Sequence, residues 1–585
     1  MGPDVPEWVA DLPQGDHAKA LPPCDLVMKG GVTSGVVYPS LVMRLAKKYR
    51  FECIGGTSAG AIAAAVSGAA EYARQRSEPS GGMDELAQTI EQFRQRDFVL
   101  GLFQPTAGSR SLFEVLVNAS IAKTKMSQRV VGAAIECAQR RPEIPTLAFV
   151  LLAGLVTLTA ASFGSLPDGL AVGLALAISL PLALLIIGAT LLLPSGLIVW
   201  HTVRSLRTSD YGFCTGKQQP GHRETALIDW LHERIQSCAG RKLTDPLTFG
   251  DLRRQGIRLE MMTTDLSFAR PIRVPDGLAA YMFDPAELRK RFPEEVVAAM
   301  LPKDVRADEA ERYQYVPQDD MPVLVGVRLS LSFPFLLSAM PLYLPNPGVE
   351  PPVMRHLFSD GGIASNFPIH FFDGWFPGRP TFGIDLAEHP GAEKDPVFMP
   401  TNPEEAVAPR WSQARSALGF VGQIFDTMQN WRDTMQSELP GFRDRVCQIR
   451  FPKGLGGLHL GMDEKDIQVL ITRGEKAGER ILKVFDERQW DQHRFVRYLM
   501  LMSLLQDNLQ DVKAPFAEFV PGLEDGLPEV RVYRKGRDQA WCVGGAGATA
   551  EVVSVGCSWG TPPRVDFRGP DGPLPEAQMR MVPRA

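Results

Sequence analysis

The chain has 585 residues, of which 45% are hydrophobic and 22% charged, and its net charge at pH 7 is −5. This composition is typical of a globular protein with room for two or three domains. The negative net charge argues against nucleic acid as a partner, because phosphate backbones are bound by basic surfaces.

Residues 1–24 are interpreted as an N-terminal extension. They contain no basic stretch followed by an apolar run, so they predict neither an export signal nor a lipid anchor. Eight cysteines are scattered along the chain without a C-x-x-C pair, which argues against a disulfide framework and against a zinc knuckle. We therefore expect a reducing compartment. We also expect neither a metal nor a cofactor.

A first buried strand is predicted over Asp25–Gly31, where "DLVMKGG" runs into glycines. The loop that follows, "KGGVTSG", has bare backbone whose N–H groups can approach a substrate closely. Gly30 and Gly31 are the best candidates for oxyanion-hole donors. The alternatives are a phosphate-binding loop or a plain strand-to-helix turn, although the G-x-G-x-x-G fingerprint of a dinucleotide site is missing.

The pentapeptide "GTSAG" fits G-x-S-x-G, the strand-to-helix elbow that exposes a nucleophilic serine. Its context agrees, because Phe51–Ile54 resembles a short buried strand and Ala59–Ala73 is rich in alanine, a strong helix former. Ser58 is therefore the candidate nucleophile, and Gly56 and Gly60 are the elbow glycines.

A long apolar stretch covers Ile144–Val203, where Asp168 is the only Asp, Glu, Lys or Arg. Thr146–Phe163 and Leu170–Leu193 would form helices of roughly 27 and 36 Å, long enough to cross a bilayer. The turn-forming segment Gly164–Gly169 separates them. These features predict a transmembrane helical hairpin. The alternative is a hairpin buried in a large core.

Basic residues on both sides of the hairpin place its flanks in the cytoplasm by the positive-inside rule. These residues are Lys123, Lys125, Arg129, Arg140, Arg141, Arg204 and Arg207.

Further strands and helices are predicted beyond this stretch. Their alternation predicts an α/β sheet. The strands are Arg258–Leu266, Pro380–Leu386 and Val446–Phe451, and the helical segments are a charged cap over Pro285–Arg312 and an amphipathic helix over Glu464–Arg488. From about Pro521 onward, Gly- and Pro-rich sequence predicts irregular β structure that fades into a mobile tail.

A candidate general base lies in "FSDGGIASNFP", where Asp360 is followed by two glycines that can present its carboxylate on an exposed turn. An Asp-Gly-Gly sequence is also an ordinary turn. A Ser-Asp-His triad is the rival arrangement, because several histidines follow Asp360 in the chain order of α/β-hydrolases. They are His370, His389, His459 and His493, and none lies in a stretch typical of a catalytic histidine.

The order of these motifs resembles that of the patatin-like phospholipase family. A Gly-rich loop comes first, G-x-S-x-G follows it, and D-G-G with "NFP" after it comes last. The resemblance implies a helix-flanked patatin-like sheet without a cofactor, a Ser58–Asp360 dyad with no catalytic histidine, and an oxyanion hole at Gly30–Gly31. The stretches "MTTDLS" and "VRLSLSFPFLL" resemble family segments too. The family loop usually carries a third glycine and a basic residue, where this chain has Val32 and Ser34.

The resemblance implies a patatin-like domain in two parts, residues 25–143 and 204–490, interrupted by the hairpin at 144–203. Residues 491–585 would be a C-terminal extension.

The expected function is a membrane-associated serine hydrolase that cleaves acyl esters of phospholipids or lysophospholipids through an acyl-Ser58 intermediate. Its expected partners are a membrane lipid substrate and the bilayer, and its expected location is a two-helix multi-pass membrane protein with a cytoplasmic catalytic domain. The alternatives are a non-catalytic membrane scaffold on the same fold and a soluble esterase with a buried hairpin.

Overall fold

The structure is a computed structural model. It describes residues 7–31, 34–77, 81–95, 97–121, 126–140, 142–163, 168–302, 312–348, 350–388, 395–401, 414, 417–452, 455, 462–525, 538–559, 561, 564 and 566–567.

The described strands form one large sheet and one small one. They are β1 (Pro23–Met28), β2 (Arg50–Gly56), β3 (Gly212–Cys214), β4 (Arg258–Asp265), β5 (Arg270–Val274), β6 (Met282–Phe283), β7 (Gln314–Tyr315), β8 (Phe335–Leu337), β9 (Met340–Pro345), β10 (Val353–Asp360), β11 (Thr381–Glu388), β12 (Val397–Phe398) and β13 (Val446–Phe451).

The described helices are distributed along the whole chain. They are α1 (Glu7–Ala10), α2 (Gly15–Lys19), α3 (Tyr38–Leu45), α4 (Ala59–Arg76), α5 (Met83–Arg94), α6 (Phe98–Gly101), α7 (Arg110–Ile121), α8 (Met126–Gln139), α9 (Glu143–Phe163), α10 (Asp168–Leu206), α11 (Leu227–Ala239), α12 (Phe249–Arg254), α13 (Pro285–Arg289), α14 (Glu294–Met300), α15 (Val323–Ser330), α16 (Ala417–Glu438), α17 (Glu464–Val484), α18 (Glu487–Glu524) and α19 (Gln539–Ser558). Short 3₁₀ turns cover Ser34–Val37, Asp276–Leu278, Gly361–Ile363 and Arg443–Arg445.

The large sheet has the strand order β12-β13-β11-β1-β2-β4-β10-β9-β6-β7, with β5 paired to β4. Its centre, from β13 to β4, is parallel, whereas β10 runs antiparallel to β4. The central strands β1 and β13 are buried along almost their whole length, as expected when helices cover both faces of a sheet. Helices α4 and α17 pack on this centre, while α11 packs against α4 and α3 packs against α17. The predicted α/β fold is confirmed.

Helix α4 follows the serine elbow and is fixed to the protein by a buried ion pair. The Arg74 guanidinium bonds to the Glu71 carboxylate at 2.7 Å and also donates to the carbonyls of Ala46 and Tyr49. Glu71 accepts from the N–H of Phe51 in β2. Because both charges are buried and mutually satisfied, the pair fixes the orientation of α4 against the strand that precedes it.

The predicted strands fall within one to three residues of the observed ones, and Val446–Phe451 matches β13 at both ends. The predicted cap over Pro285–Arg312 contains two short helices, α13 and α14, while residues 303–311 lie outside the described part of the chain. The amphipathic helix predicted over Glu464–Arg488 is present as α17, which ends at Val484.

The prediction of a transmembrane hairpin is wrong, and with it the predicted multi-pass location. The two helices exist as α9 and α10, but among the described residues no helix combines the length and apolarity needed to span a bilayer. Helix α10 packs against α7, α8 and α9. Apolar composition is shared by membrane helices and by helices that pack against other helices, so it does not distinguish the two. The predicted turn tip, residues 164–167, lies outside the described residues.

The prediction of irregular β structure after Pro521 is also wrong. Helix α18 continues to Glu524, and the Gly-rich stretch forms the helix α19. Gly556 permits close packing of α19 on α18, since a Cβ at this position would lie 2.4 Å from a methyl carbon of Leu509. Residues 526–537 and 568–585, to which this prediction and that of a tail also apply, lie outside the described part of the chain.

Candidate active site

Ser58 lies between the end of β2 at Gly56 and the start of α4 at Ala59. Its backbone has φ 54° and ψ −128°, a conformation that costs a non-glycine residue about 1–3 kcal/mol. Its exposed fraction is 4%. A strained serine at a strand-to-helix elbow is the geometry typical of an activated nucleophile.

The elbow requires glycine at both flanking positions because three backbone segments meet there. A Cβ at Gly56 would lie 2.4 Å from the carbonyl oxygen of Gly60. A Cβ at Gly60 would lie 2.3 Å from the carbonyl oxygen of Met28, at the end of β1. Since both contacts are to backbone atoms, a larger residue would have to displace a strand or the first turn of α4.

Asp360 ends β10 and is 3% exposed. Its Oδ1 accepts the N–H of Gly362 at 2.7 Å, and its Oδ2 is buried without a hydrogen bond of ordinary geometry from the described residues. Burial raises the pKa of the Asp360 carboxyl to about 7, while the Ser58 hydroxyl and the Gly362 amide act in the opposite direction. The carboxylate is therefore a base matched to neutral pH, and Ser58 is the side chain that interacts with it.

The strand register explains why Ser58 and Asp360 meet. Gly56 lies opposite Met261 in the β2–β4 pair, and Asp360 lies opposite Thr263 in the β4–β10 pair. Because β4 is shared by both pairs, the end of β10 lies two positions along β4 from the end of β2.

Helix α15 and the turn after it contact both members of the dyad. The Ser58 N–H donates to Ser330 Oγ at 3.1 Å, and the Asp360 N–H donates to the Ser332 carbonyl at 3.0 Å. Arg328, fully buried, donates to Ser332 Oγ and to the Ser338 carbonyl. This segment therefore fixes the backbone of the nucleophile and of the base together.

The two predicted oxyanion-hole residues lie directly after β1, beside the elbow. The N–H of Gly30 donates to the carbonyl of Asn366 at 2.9 Å, so this amide is engaged within the protein. A Cβ at Gly30 would lie 3.0 Å from Ser58 Cβ, which shows how close the loop and the nucleophile are. Gly31 follows at a partly exposed position, and residues 32–33 lie outside the described part.

Asn366 joins the three pieces of the site. Its carbonyl accepts from the Gly30 N–H and from Thr57 Oγ1, at 2.9 Å each. Its side-chain oxygen occupies the space beside Gly30 and Gly362, at 2.3 and 2.8 Å from where their Cβ atoms would be. The glycine loop, the elbow and the Asp-Gly-Gly turn are thus fixed to one residue.

Asp433 in α16 fixes the position of Asn366. Its Oδ2 accepts the N–H groups of Asn366 and Phe367 at 2.6 and 2.8 Å, and its Oδ1 accepts the Ser365 hydroxyl at 2.8 Å. Asn366 was noted in the sequence only as part of the "NFP" signature, and Asp433 was not predicted to belong to the site. An isolated acidic residue in a helix gives no sequence signal for this role.

The structure describes two of the four histidines considered for the rival triad, His370 and His493. His493 Nδ1 is 2.6 Å from the buried carboxylate of Asp444, and His370 packs beside Phe371. His389 and His459 lie outside the described residues. Burial, the Ser58 hydroxyl and the Gly362 amide account for the shifted pKa of Asp360, without a histidine contribution from the described chain. The geometry of the described residues thus agrees with a dyad.

Lys29, directly before Gly30, is a buried cation whose ammonium lies 2.6 Å from Asp385 Oδ1. Gln448 donates to the other oxygen of Asp385 at 2.8 Å. In the part of the chain that is described, no group of His, Cys, Asp and Glu side chains has the arrangement of a metal site.

Comparison with known proteins gives two relatives. The chain is 33% identical over 584 residues to the RpoH suppressor of Rhizobium meliloti (strain 1021), covering 86% of this chain and 89% of that protein. It is 27% identical over 185 residues to the uncharacterized protein YqhO of Bacillus subtilis (strain 168), covering 32% of this chain and 43% of that protein. No family model matches the chain.

Among solved structures, the crystal structure of VipD from Legionella pneumophila aligns with 91% of this chain and 88% of that chain. The identity is 12% and the TM-score is 0.29, which is too low to support an argument about either fold or function.

Replacement of Asp433 by Ala should lower the free energy of unfolding by about 2–5 kcal/mol, because the buried amide of Phe367 and the part-buried amide of Asn366 lose their acceptor. Ser365→Ala removes only the hydroxyl contact and should cost about 1 kcal/mol. Asp433→Asn, which keeps one acceptor oxygen, should lie between them. Urea denaturation measures all three. Asp433→Ala within 0.5 kcal/mol of wild type would show that Asp433 does not fix this loop.

Proposed function

The chain belongs to the family of the RpoH suppressor of Rhizobium meliloti, and we propose that it is a serine hydrolase that cleaves acyl esters with a Ser58–Asp360 dyad. One observation supports this proposal above the others. A serine on a strained elbow interacts with a buried carboxylate whose pKa is raised to about 7. The resemblance to patatin-like phospholipases supports a lipid acyl ester, of a phospholipid or lysophospholipid, as the substrate. The membrane hairpin no longer supports it.

In the first half-reaction, Asp360 accepts the proton of Ser58 Oγ as that oxygen bonds to the carbonyl carbon of the ester. The carbonyl electron pair moves onto its oxygen, giving a tetrahedral oxyanion. When the C=O bond forms again, the alcohol oxygen leaves and takes the proton from Asp360. The products are the free alcohol and an acyl-Ser58 ester.

In the second half-reaction, water attacks the acyl carbon while Asp360 accepts one of its protons. Collapse of the second oxyanion expels Ser58 Oγ, which recovers the proton from Asp360. The free acid leaves and both residues return to their starting states, so no cofactor is consumed.

Two backbone features can stabilise the oxyanion. Ser58 is the N-cap of α4, where the partial positive charge of an eighteen-residue helix favours a developing negative charge. The loop after β1 supplies the second feature. The loop lies beside the nucleophile, since a Cβ at Gly30 would be 3.0 Å from Ser58 Cβ.

Ser58→Ala should lower the hydrolysis of a short-chain ester by several orders of magnitude, since no other group can form the acyl intermediate. Asp360→Asn should be nearly as damaging, because an amide cannot accept the proton. The unfolding transition of each variant checks that the fold is intact.

The matched controls are His370→Ala and His493→Ala, which should retain most of the activity if the dyad acts without an imidazole. A folded histidine variant as inactive as Ser58→Ala would replace the dyad by a triad. Ser58→Ala with more than a few per cent of wild-type activity would refute the assignment of the nucleophile.

The pH dependence follows from the raised pKa of Asp360. The base acts only when ionised, so log(kcat/KM) should rise with unit slope up to about pH 7 and then level off. An ordinary exposed aspartate, with a pKa of about 3.9, would already give the plateau at pH 5. A profile that is flat between pH 5 and pH 8 would therefore contradict a buried Asp360 as the base.

A further inference from the structure

Helix α4 is not capped by the side chain of the serine that precedes it. Serine at this position ordinarily accepts an N–H of the first helical turn with its hydroxyl. The Ser58 hydroxyl makes no such bond. The N–H of Gly60 donates instead to the carbonyl of Thr57 at 2.8 Å. The N–H of Ala61 donates to the carbonyl of Ser58 at 2.9 Å. Backbone carbonyls thus replace the usual cap, and the hydroxyl interacts with Asp360.

A hydroxyl from α15 holds Ser58 in this arrangement. The N–H of Ser58 donates to Ser330 Oγ at 3.1 Å, and Ser330 is fully buried. A buried N–H that loses its acceptor is costly to the conformation that leaves it there. Removal of the Ser330 hydroxyl would therefore favour a different backbone conformation at Ser58.

The end of α15, where Ser330 lies, is fixed to two strands at the site. The hydroxyl of Thr263 in β4 lies 2.9 Å from the carbonyls of Leu329 and Ser359. The hydroxyl of Ser359 in β10 donates to the carbonyl of Ser332 at 2.8 Å. Leu329 and Ser332 lie on either side of Ser330. Because Ser359 directly precedes the candidate base, the Ser330 hydroxyl has a fixed position relative to that base.

A second hydroxyl holds the residue before the nucleophile. Thr57 is fully buried, and its Oγ1 donates to the carbonyl of Asn366 at 2.9 Å. The carbonyl of Thr57 accepts an N–H of the first turn of α4. A fixed Thr57 therefore also fixes the turn that leaves the Ser58 hydroxyl unused by the helix.

We infer that Ser330 and Thr57 are positioning residues, whose hydroxyls keep the Ser58 hydroxyl directed at Asp360 and prevent it from capping α4. The inference rests on the proposed function, whose nucleophile it concerns. A strained backbone persists only where its surroundings fix it. Without either hydrogen bond, Ser58 should relax to the extended backbone of an ordinary helix cap, with a negative φ and with Oγ bonded to the first turn.

The first test is kcat/KM for p-nitrophenyl butyrate, measured with the full chain. Ser330→Ala and Thr57→Val should each lower kcat/KM by about 10- to 100-fold, because a displacement of a reacting atom by about 1 Å can cost a factor of this size. Thr57→Ser keeps the hydroxyl and should retain most of the activity. The matched control is Ser40→Ala, which removes a buried hydroxyl that donates to the carbonyls of Val37 and Ile471 and should leave kcat/KM unchanged.

The pH profile of kcat/KM separates positioning from a general loss of stability. Burial raises the pKa of Asp360 to about 7, and the Ser58 hydroxyl acts in the opposite direction. Loss of that hydroxyl contact raises the pKa further, so the midpoint should move to higher pH in Ser330→Ala and Thr57→Val. It should stay in place in Ser40→Ala. An unchanged midpoint in either folded positioning variant would overturn the inference.

Crystal structures give a measurement that does not require turnover. Ser58 has a φ of 54°, which should become negative in Ser330→Ala, with Oγ bonded to the N–H of Gly60 or Ala61. A positive φ in that variant would overturn this inference and leave the proposed function intact. If Ser330→Ala does not fold, Thr57→Val, whose side chain has nearly the same shape as threonine, allows the same comparison. No turnover of any ester by wild type would refute the proposed function, and the value of φ in the variants would still test the two hydrogen bonds.

Discussion

The site depends on the burial of one carboxylate against one hydroxyl. Asp360 is removed from water, so its negative charge is costly and its proton affinity rises into the neutral range. The Ser58 hydroxyl is the side-chain group that offsets this cost. A carboxylate exposed to solvent would be too weak a base for a serine. The surrounding structure keeps water away from Asp360 and keeps its oxygen directed at the nucleophile.

Backbone packing maintains that arrangement. Glycines at 56 and 60 let the elbow lie against the end of β1, and the strained backbone of Ser58 persists because both flanks are fixed. Asn366 connects the glycine loop, the elbow and the Asp-Gly-Gly turn, and Asp433 fixes Asn366 in turn. The catalytic groups come from positions about 300 residues apart in the chain. The shared strand β4 brings them together, and hydrogen bonds to the Asn366 carbonyl hold the glycine loop and the elbow beside each other.

Local sequence patterns predicted the strands and helices that depend on interactions between residues close in the chain. The strand before Ser58, the helix after it and the strand Val446–Phe451 follow from hydrophobic runs and turn residues. The predictions failed where packing against other parts of the chain determines the structure of a segment. Apolar length suggested a membrane for α9 and α10, which pack with other helices. Glycines suggested loops in α19, where Gly556 allows close packing on α18. Asp433 acts only through tertiary contacts, so no sequence pattern could identify it. The patatin-like resemblance and the roles of Ser58 and Asp360 remain predictions.

Reaction of the full chain with a fluorophosphonate, followed by peptide mass mapping, tests the central claim most directly. The reagent bonds its phosphorus to an activated serine oxygen and loses fluoride, so it reports nucleophilicity without depending on the natural substrate. The account predicts a single adduct on the peptide that contains Ser58. The adduct should form faster at pH 8 than at pH 6, be absent in Ser58→Ala and form far more slowly in Asp360→Asn. An adduct on another serine, or equal labelling in Asp360→Asn, would contradict a dyad in which the buried carboxylate activates Ser58.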